Sequence, residues 1–429
     1  MFTPRRLFGN PGQPSDLLHH LPFLNRARAE REHGRELPSR VALGGYLAAR
    51  LAERLLAVSL HCQEERESFF AQLESTQRYV AELPGSMPEV LHLDGIVRAV
   101  AEAAAGADAS LKLGLGAYGH FLEHEGRFEE ALDVVSLTGR AHGAVLGPAE
   151  YTRLALVAAK LNRLLARWDA ANASYAAAEE GARAAADESG TLRAQLGRAA
   201  VLRAQGDLPA AQSSVERVLD AAKAAGLSEI CSMAYLDLGA VCEKQDRTLE
   251  ALRANYAALM HTQDPAAQTR VLGDLGVKLL RVGALDAARI AFDVVLRSNA
   301  TFTVAMNARL ELMDLESSSG NQLGFERWRQ VVSADAARMP PSMAIDFRFK
   351  VASGFARFGM LHRAETVLQE GLELAEEHGL NQWYFKLETL QRGLANAPAP
   401  RAAEPAEAKF APAVAEVVDG LRQLSASMA

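Results

Sequence analysis

Apolar residues recur at helical spacing along most of the chain, in segments separated by Gly, Pro and polar breaks. Two long helical patterns occupy 40–80, the breakers in 84–88 end them, and a third helix is predicted over 89–105. Residues 1–38 are rich in Pro, Gly, Arg and His without clear periodicity. The pattern therefore predicts an irregular N-terminal segment over 1–38 and a non-repeat helical leader over 39–108.

A short motif then recurs at nearly constant spacing. Successive starts lie 40, 40, 40, 37 and 76 residues apart, and the last distance is about two repeats. A fixed period of this length indicates a stack of repeated helical units. The six starts are GRFEEAL from Gly126, ARWDAAN from Ala166, GDLPAAQ from Gly206, DRTLEAL from Asp246, GALDAAR from Gly283 and GMLHRAE from Gly359.

Each unit has columns of small and of bulky residues. Ala stands five residues after every start, at Ala131, Ala171, Ala211, Ala251, Ala288 and Ala364. Gly or Ala stands seven residues before every start, at Gly119, Ala159, Ala199, Gly239, Gly276 and Ala352. We expect these two columns to face each other where the helices of a pair cross, because small side chains let backbones approach closely. Bulky residues such as Val135, Tyr175, Val215 and Phe292 form an apolar stripe that neighbouring pairs must bury.

These columns resemble the tetratricopeptide repeat (TPR) family, in which a small residue and an aromatic or leucine precede Gly-x-[Tyr/Phe]-x-x-Ala. The segment LGVKLLRVGALDAARIAF (275–292) matches best, and the resemblance covers 109–394. It implies an all-α, right-handed superhelical solenoid of antiparallel helix pairs that acts as a binding scaffold and not as an enzyme. The period exceeds the usual 34 residues, as in 40-residue TPR variants, and the unit near Gly320 departs from the pattern because Phe325 occupies the small slot.

The C-terminal end forms a separate region. Residues 395–409 are rich in Pro and Ala and predict a linker, and 410–429 predict an amphipathic tail helix. Such a helix is too short to be stable alone, and Gly420 weakens it by ~1 kcal/mol relative to Ala. It is therefore a silent end, a segment that docks on its own solenoid as a cap or groove plug, or a contact for a partner or a second copy. Its predicted interaction face is Phe410, Val414, Val417, Val418, Leu421 and Leu424.

Composition narrows the possible partners. The net charge is -7 and the pI is about 5.9, so a nucleic-acid partner is not expected. Three scattered cysteines, Cys62, Cys231 and Cys242, fit a reducing cytoplasm and lack zinc-ligand spacing. No window approaches the ~20 apolar residues of a membrane span, and the first residues lack the apolar core of a secretion signal. A cytoplasmic protein without its own membrane anchor is expected.

One string carries candidate metal chemistry. His120, Glu123 and His124 form H-x-x-E-H, the inverzincin string, which places two imidazoles on one helical face beside a carboxylate. Zinc also needs a third protein ligand. The alternatives are solvated groove residues, an adventitious metal site and a metal-dependent hydrolase. No phosphate loop, nucleotide fingerprint or nucleophile elbow occurs, so neither a cofactor nor a catalytic residue is predicted.

The resemblance also suggests where a ligand would lie, since TPR ligands usually contact the first helices of the pairs. The matching positions are His120, Glu123, His124, Lys160, Arg163, Arg193, Arg203, Arg270 and Arg281. Five of the last six are Arg, which suits an acidic peptide or a C-terminal carboxylate, unless these are ordinary solvated positions. The leading function is a protein–protein interaction scaffold that binds a peptide or helix in its concave groove. The alternative is a ligand- or peptide-sensing regulatory module with a separate output protein, and a hydrolase at HFLEH is third.

Overall fold

The computed structural model describes residues 20–59, 61–106, 109–141, 146–298, 300–395 and 412–427. Within these ranges the chain forms twenty α-helices and a 3-10 turn at Ala336–Arg338, and no residue is in a strand. The chain divides into two compact units, Met1–Asp207 and Leu208–Ala429. The predicted all-α class is confirmed, and in each unit consecutive helices pack against one another.

The described residues of the first unit form nine helices. They are α1 (Leu21–Glu32), α2 (Glu36–Ala57), α3 (Gln63–Ala81), α4 (Pro88–Ala104), α5 (Ala109–His124), α6 (Phe128–Ala141), α7 (Pro148–Leu164), α8 (Trp168–Ala184) and α9 (Glu188–Gln205). Helices α2 to α4 correspond to the three helices predicted over 40–80 and 89–105. Helices α5 to α8 are the first two repeat pairs, and α9 is the first helix of the next pair.

Eleven helices lie in the part of the second unit that the structure describes. They are α10 (Leu208–Ala224), α11 (Ser228–Lys244), α12 (Thr248–His261), α13 (Pro265–Arg281), α14 (Leu285–Arg297), α15 (Phe302–Ser318), α16 (Gln322–Ala334), α17 (Pro341–Arg357), α18 (Leu361–Glu377), α19 (Asn381–Ala395) and α20 (Pro412–Ser427). The odd-numbered helices α11 to α17 are the first helices of four pairs. None of the described helices of either unit has the length and apolar character needed to cross a membrane.

The turn inside each pair explains why the motif recurs. The second helix begins two residues after every predicted start, at Phe128, Trp168, Leu208, Thr248, Leu285 and Leu361. Each start residue has a left-handed φ, namely Gly126 (73°), Ala166 (55°), Gly206 (90°), Asp246 (57°), Gly283 (77°) and Gly359 (74°). Gly320 adopts the same conformation (76°) and α16 follows it, so the degenerate unit keeps the turn of the others. Glycine is favoured there because it adopts positive φ without steric cost.

The small columns make room in two ways. All six Ala of the second-helix column are at most 1% exposed. At Gly239 the two columns approach each other, since an added Cβ would lie 3.3 Å from the carbonyl oxygen of Ala251, although Asn255 Oδ1 would be nearer, at 2.3 Å. At Gly276 the space is taken instead by a ring, because an added Cβ would lie 2.5 Å from Phe292 Cε1. The small residue of the first helix thus also receives the bulky side chain of the second.

In the degenerate unit near Gly320, a large side chain in the small slot is compensated by a glycine on a neighbouring helix. Phe325 stands in the small slot and is fully buried. Its ring lies 5.6 Å from the rings of Phe355 and Phe358, and a Cβ on Gly354 would lie 2.6 Å from Phe325 Cζ. Gly354 on α17, the first helix of the next pair, therefore leaves the space that the Phe325 ring occupies.

The N-terminal prediction needs a correction. Residues 1–19 lie outside the described part of the chain, but within 20–38 the expected irregular segment is wrong, because α1 and the start of α2 are helical. Helix α1 has little apolar periodicity, and Phe23 is its only residue classed as buried. The Phe23 ring stacks on Tyr118 at a centroid distance of 6.1 Å. Tertiary contacts therefore stabilise α1, although its own sequence pattern does not predict a helix.

Charge pairs reinforce this attachment. Arg127 donates two hydrogen bonds to Glu89 (2.6 and 2.7 Å), and Arg26 donates to Glu89 (2.9 Å) and Glu130 (2.8 Å). The Tyr118 hydroxyl donates to Glu89 at 2.8 Å. Burial disfavours the Glu89 carboxylate, but the two guanidiniums outweigh burial and lower its pKa. We call these five residues the buried ion cluster.

The tail helix α20 packs on α12 and α14, the second helices of two pairs. Val414, Val417 and Leu421 are at most 2% exposed, and Val418 and Leu424 contact the same apolar cluster. Phe410 lies outside the described residues, as does nearly all of the predicted linker. Among the described residues, α20 thus packs mainly on second helices of its own unit, α12 and α14, and not on the last pair.

Candidate ligand-binding site

The nine predicted groove residues all lie on first helices. In the first unit α5 carries His120, Glu123 and His124, α7 carries Lys160 and Arg163, and α9 carries Arg193 and Arg203. In the second unit Arg270 and Arg281 lie on α13. Arg163 and Arg203 are half-buried. The four cations and imidazoles of this set that are not paired across helices, His120, His124, Arg193 and Arg270, are exposed.

Two of the predicted cations are paired with a carboxylate of the preceding first helix. Lys160 donates to Glu123, and Arg281 donates to Glu243. Lys278 also lies 2.9 Å from Glu243. These ion pairs tie successive repeats together and reduce the positive charge available to an acidic ligand.

The H-x-x-E-H string does not form a zinc-hydrolase arrangement. The Nε2 atoms of His120 and His124 lie 3.3 Å apart on an exposed surface, and Glu123 is engaged by Lys160. Burial and the neighbouring imidazole lower the pKa of His124. Across the described part of the chain, no three His, Cys, Asp or Glu side chains are grouped to hold a metal ion.

A pocket of about 540 Å³ lies on the first helices of the second unit, and we call it the inner pocket. Helices α13, α15, α17 and α19 contribute its walls, so it occupies the side on which TPR ligands were expected. Its lining combines cations, carboxylates and apolar side chains: Val277, Leu280, Arg281, Glu311, Asp314, Asp346, Phe349, Lys350, Ser353, Ala356, Arg357, Lys386 and Leu390. Arg281 is the one residue of the predicted groove set among them.

Most charges of the inner pocket neutralise one another. Lys350 lies 2.8 Å from Glu311 and 2.5 Å from Asp346, and Arg357 lies 2.5 Å from Asp314. Burial disfavours the Lys350 ammonium, but the two carboxylates outweigh burial and raise its pKa. Burial also raises the pKa of Glu311. These groups form a fixed ionic wall between α15 and α17.

Lys386 differs from the other cations of the pocket. Its ammonium lies 4.4 Å from the ring centroids of both Phe349 and Trp383, which is within cation–π range. No carboxylate of the described residues lies within salt-bridge distance of it. Burial lowers the pKa of Lys386, and an added carboxylate ligand would oppose that shift. The pocket therefore presents one aromatic-backed cation that an anionic ligand group can pair with.

Sequence reasoning did not identify Lys350, Phe349 or Lys386 as site residues. A usable signal was the distance of about one repeat between a carboxylate and a base, as in Glu243 to Lys278 and Glu311 to Lys350. That signal marks bases that are paired across repeats, but spacing alone does not single out Lys386, because Asp346 stands 40 residues before it.

No protein-family model and no curated protein matches the chain. Among solved structures, a Rap protein complexed with competence and sporulation factor is 12% identical, with a TM-score of 0.44 over 83% of this chain and 98% of the other. The apo form of the quorum sensor NprR from B. thuringiensis is 13% identical, with a TM-score of 0.45 over 83% and 97%. The apo form of RapI is 14% identical, with a TM-score of 0.43 over 62% and 98%. Since each of these scores is below 0.5, the function of the inner pocket has to be inferred from its own residues.

Proposed function

We propose that the inner pocket binds a peptide segment of a partner protein, so that the chain is an interaction scaffold and not an enzyme. The observation that carries this proposal is Lys386, a cation that is backed by two aromatic rings and has no carboxylate partner among the described residues. The repeats that build the pocket are assigned, in the same proposal, to the long-period TPR group.

The lining suggests what the peptide contains. Lys386 can pair with an Asp, a Glu or a C-terminal carboxylate, and a charge-assisted hydrogen bond of this kind contributes roughly 1.5–3 kcal/mol. Leu280, Phe349 and Leu390 offer apolar surface beside it. An acidic peptide with a neighbouring large apolar residue fits this combination. The ionic wall at Lys350 holds α15 and α17 in place, so little ordering free energy is lost on binding.

A cytoplasmic setting belongs to the same proposal. Cys62, Cys231 and Cys242 are free thiols, and Cys231 and Cys242 are buried. Free thiols persist where the compartment is reducing.

Selection from a random peptide library on the full chain, followed by fluorescence anisotropy, tests the proposal. We expect enriched peptides with an acidic group next to a large apolar residue. Lys386→Gln should weaken their binding about tenfold, the factor that ~1.4 kcal/mol represents. Arg392→Gln removes a charge from the exposed face of the same helix, and it should leave the affinity unchanged. Equal affinities for wild type and Lys386→Gln would show that the inner pocket is not the peptide site.

A further inference from the structure

A second cavity, of about 520 Å³, lies between α16, α17 and α18, and we call it the outer pocket. It shares no lining residue with the inner pocket. Helix α17 forms a wall of both: Arg348, Val351 and Phe355 line the outer pocket, whereas Phe349 and Lys350 line the inner one. Its volume is in the range of sites for small organic ligands.

Arginines from all three helices converge on this cavity: Arg329, Arg348 and Arg363. The guanidinium of Arg363 lies 4.0 Å from the Phe355 ring centroid, and that of Arg329 lies 6.0 Å from it. Glu326 binds Arg329 at 2.7 Å and lies 3.6 Å from Arg363. One ring and one carboxylate therefore hold two guanidiniums side by side at the cavity.

The third arginine has donor capacity to spare. Arg348 donates through Nη1 to the carbonyl of Ala344 at 3.0 Å, and its Nε lies 3.7 Å from Glu370, beyond hydrogen-bond distance. The Nε atom is buried and has no hydrogen-bond partner among the described residues. Because protein encloses Nε, a ligand would meet the outer edge of the guanidinium, where Nη2 has no hydrogen-bond partner among the described residues.

The charges of this region do not cancel. The three guanidiniums face two carboxylates, Glu326 and Glu370, so one positive charge of the arginines is left over. The apolar part of the lining includes Val351 and Phe355, which are at most 4% exposed. The cavity thus offers one unbalanced positive charge above a buried apolar and aromatic floor.

We propose that the outer pocket binds a small organic monoanion, a carboxylate carried on an aromatic or aliphatic body. The carboxylate accepts hydrogen bonds from Arg348 and Arg363, whose planar guanidiniums match its geometry. The body of the ligand packs against Phe355 and Val351. This site does not depend on the proposed peptide function of the inner pocket.

Ligand-observed saturation-transfer NMR on the full chain tests the assignment, with 3-phenylpropionate and its uncharged amide as probes. The carboxylate should bind about tenfold more tightly than the amide, since the amide lacks the charge that the arginines pair with. Arg363→Gln and Arg348→Gln should each abolish this preference. Arg327→Gln, an exposed arginine on α16 outside the cavity, is the matched control and should keep it.

Other outcomes would overturn the proposal. Equal binding of the two probes would show that no anion site exists, and so would a preference that both variants retain. Absence of saturation transfer from either probe at millimolar concentration would have the same meaning. Circular dichroism identifies a variant that fails to fold, and because the Arg363 side chain is half exposed, its substitution keeps the test decisive if Arg348→Gln is unstable. A longer peptide that ends in a free phenylalanine carboxylate is a third probe. A site for a chain terminus would bind this peptide as tightly as 3-phenylpropionate, whereas a site for a small molecule would bind 3-phenylpropionate more tightly.

Discussion

The buried ion cluster of the first unit and the inner pocket of the second both place acids and bases between neighbouring helices, but with opposite results. In the cluster, Glu89 and Glu130 are at most 6% exposed, and guanidiniums and a tyrosine hydroxyl satisfy their oxygens. In the pocket, Lys350 has carboxylate partners but Lys386 has aromatic rings instead. Buried and paired charges depend on each other, since removing one leaves its partner buried and uncompensated, whereas an accessible cation without an acid partner is available to a ligand.

The largest effect is expected inside the cluster. Glu89→Ala leaves Arg26 and Arg127 with a single shared carboxylate, Glu130, and removes the acceptor of Tyr118. Breaking a buried pair in this way should lower the free energy of unfolding by ~3–5 kcal/mol. Urea denaturation of the full chain measures it, with Lys386→Gln as the comparison, which should change stability by no more than ~0.5 kcal/mol. Similar losses in the two variants would mean that the cluster and the pocket do not differ as described.

An intermediate effect follows from His20, which binds the first unit through Asp133 at 2.5 Å and lies 3.3 Å from Glu53. Burial would lower its pKa, but hydrogen bonds to Asp133 and Glu53 outweigh burial and raise the pKa of His20 from 6.5 to about 9. The stabilisation is therefore complete below pH 6.5 and is lost as the pH rises through 9. At most it amounts to roughly 3 kcal/mol.

The difference in unfolding free energy between wild type and His20→Gln, measured across this pH range, isolates the contribution of His20. It should shrink steadily as the pH rises. A pH-independent difference would show that the imidazole contributes by packing and not by its charge. The pairing of His20 with Asp133 and Glu53 would then not count among the stabilising charge pairs of the first unit.

The smallest effect concerns what the two units share, the left-handed turn. Ala166 in the first unit and Asp246 in the second carry positive φ without being glycine. Ala166→Gly should stabilise the chain by ~0.5–1 kcal/mol, since glycine adopts this conformation freely. Asp246→Gly should gain less, because Asp tolerates the left-handed region better than Ala. Thermal unfolding of both variants checks the order, and a loss of stability at Ala166 would contradict the assigned strain.

The repeats could be predicted because their signal is local. A left-handed turn residue, a helix start two positions later and an Ala five positions later recur within a few residues of one another, so period and phase are visible in one dimension. Helix α1 could not be predicted, since its attachment depends on Glu89 and Glu130, which are distant in sequence. The compensation between Phe325 and Gly354 is hidden for the same reason.

The sequence predicted a ligand on the first-helix side, where the inner pocket also lies, but it did not predict the residues that line the pocket, apart from Arg281. Helix phase indicates which residues face the first-helix side, and Arg281 was identified in this way. Whether a base is free or paired depends on the acid one repeat earlier, as Glu243 is for Arg281. The Lys386 environment depends on Phe349 and Trp383, which adjoin it only after the helices pack. The docking site of α20 could not be predicted for the same reason, because Gly420 contacts the Tyr256 ring only in the folded unit.

The docking of α20 on α12 and α14 has a consequence for the order in which parts of the second unit unfold locally. A helix of this length is unstable in isolation, so α20 loses its hydrogen bonds when it leaves its seat. Its amides should exchange with solvent together, by detachment of the whole helix, and not by gradual fraying from its ends. The protection factor of α20 therefore reports the docking equilibrium directly. We therefore expect α20 to open as one cooperative unit while the helix pairs beneath it stay closed.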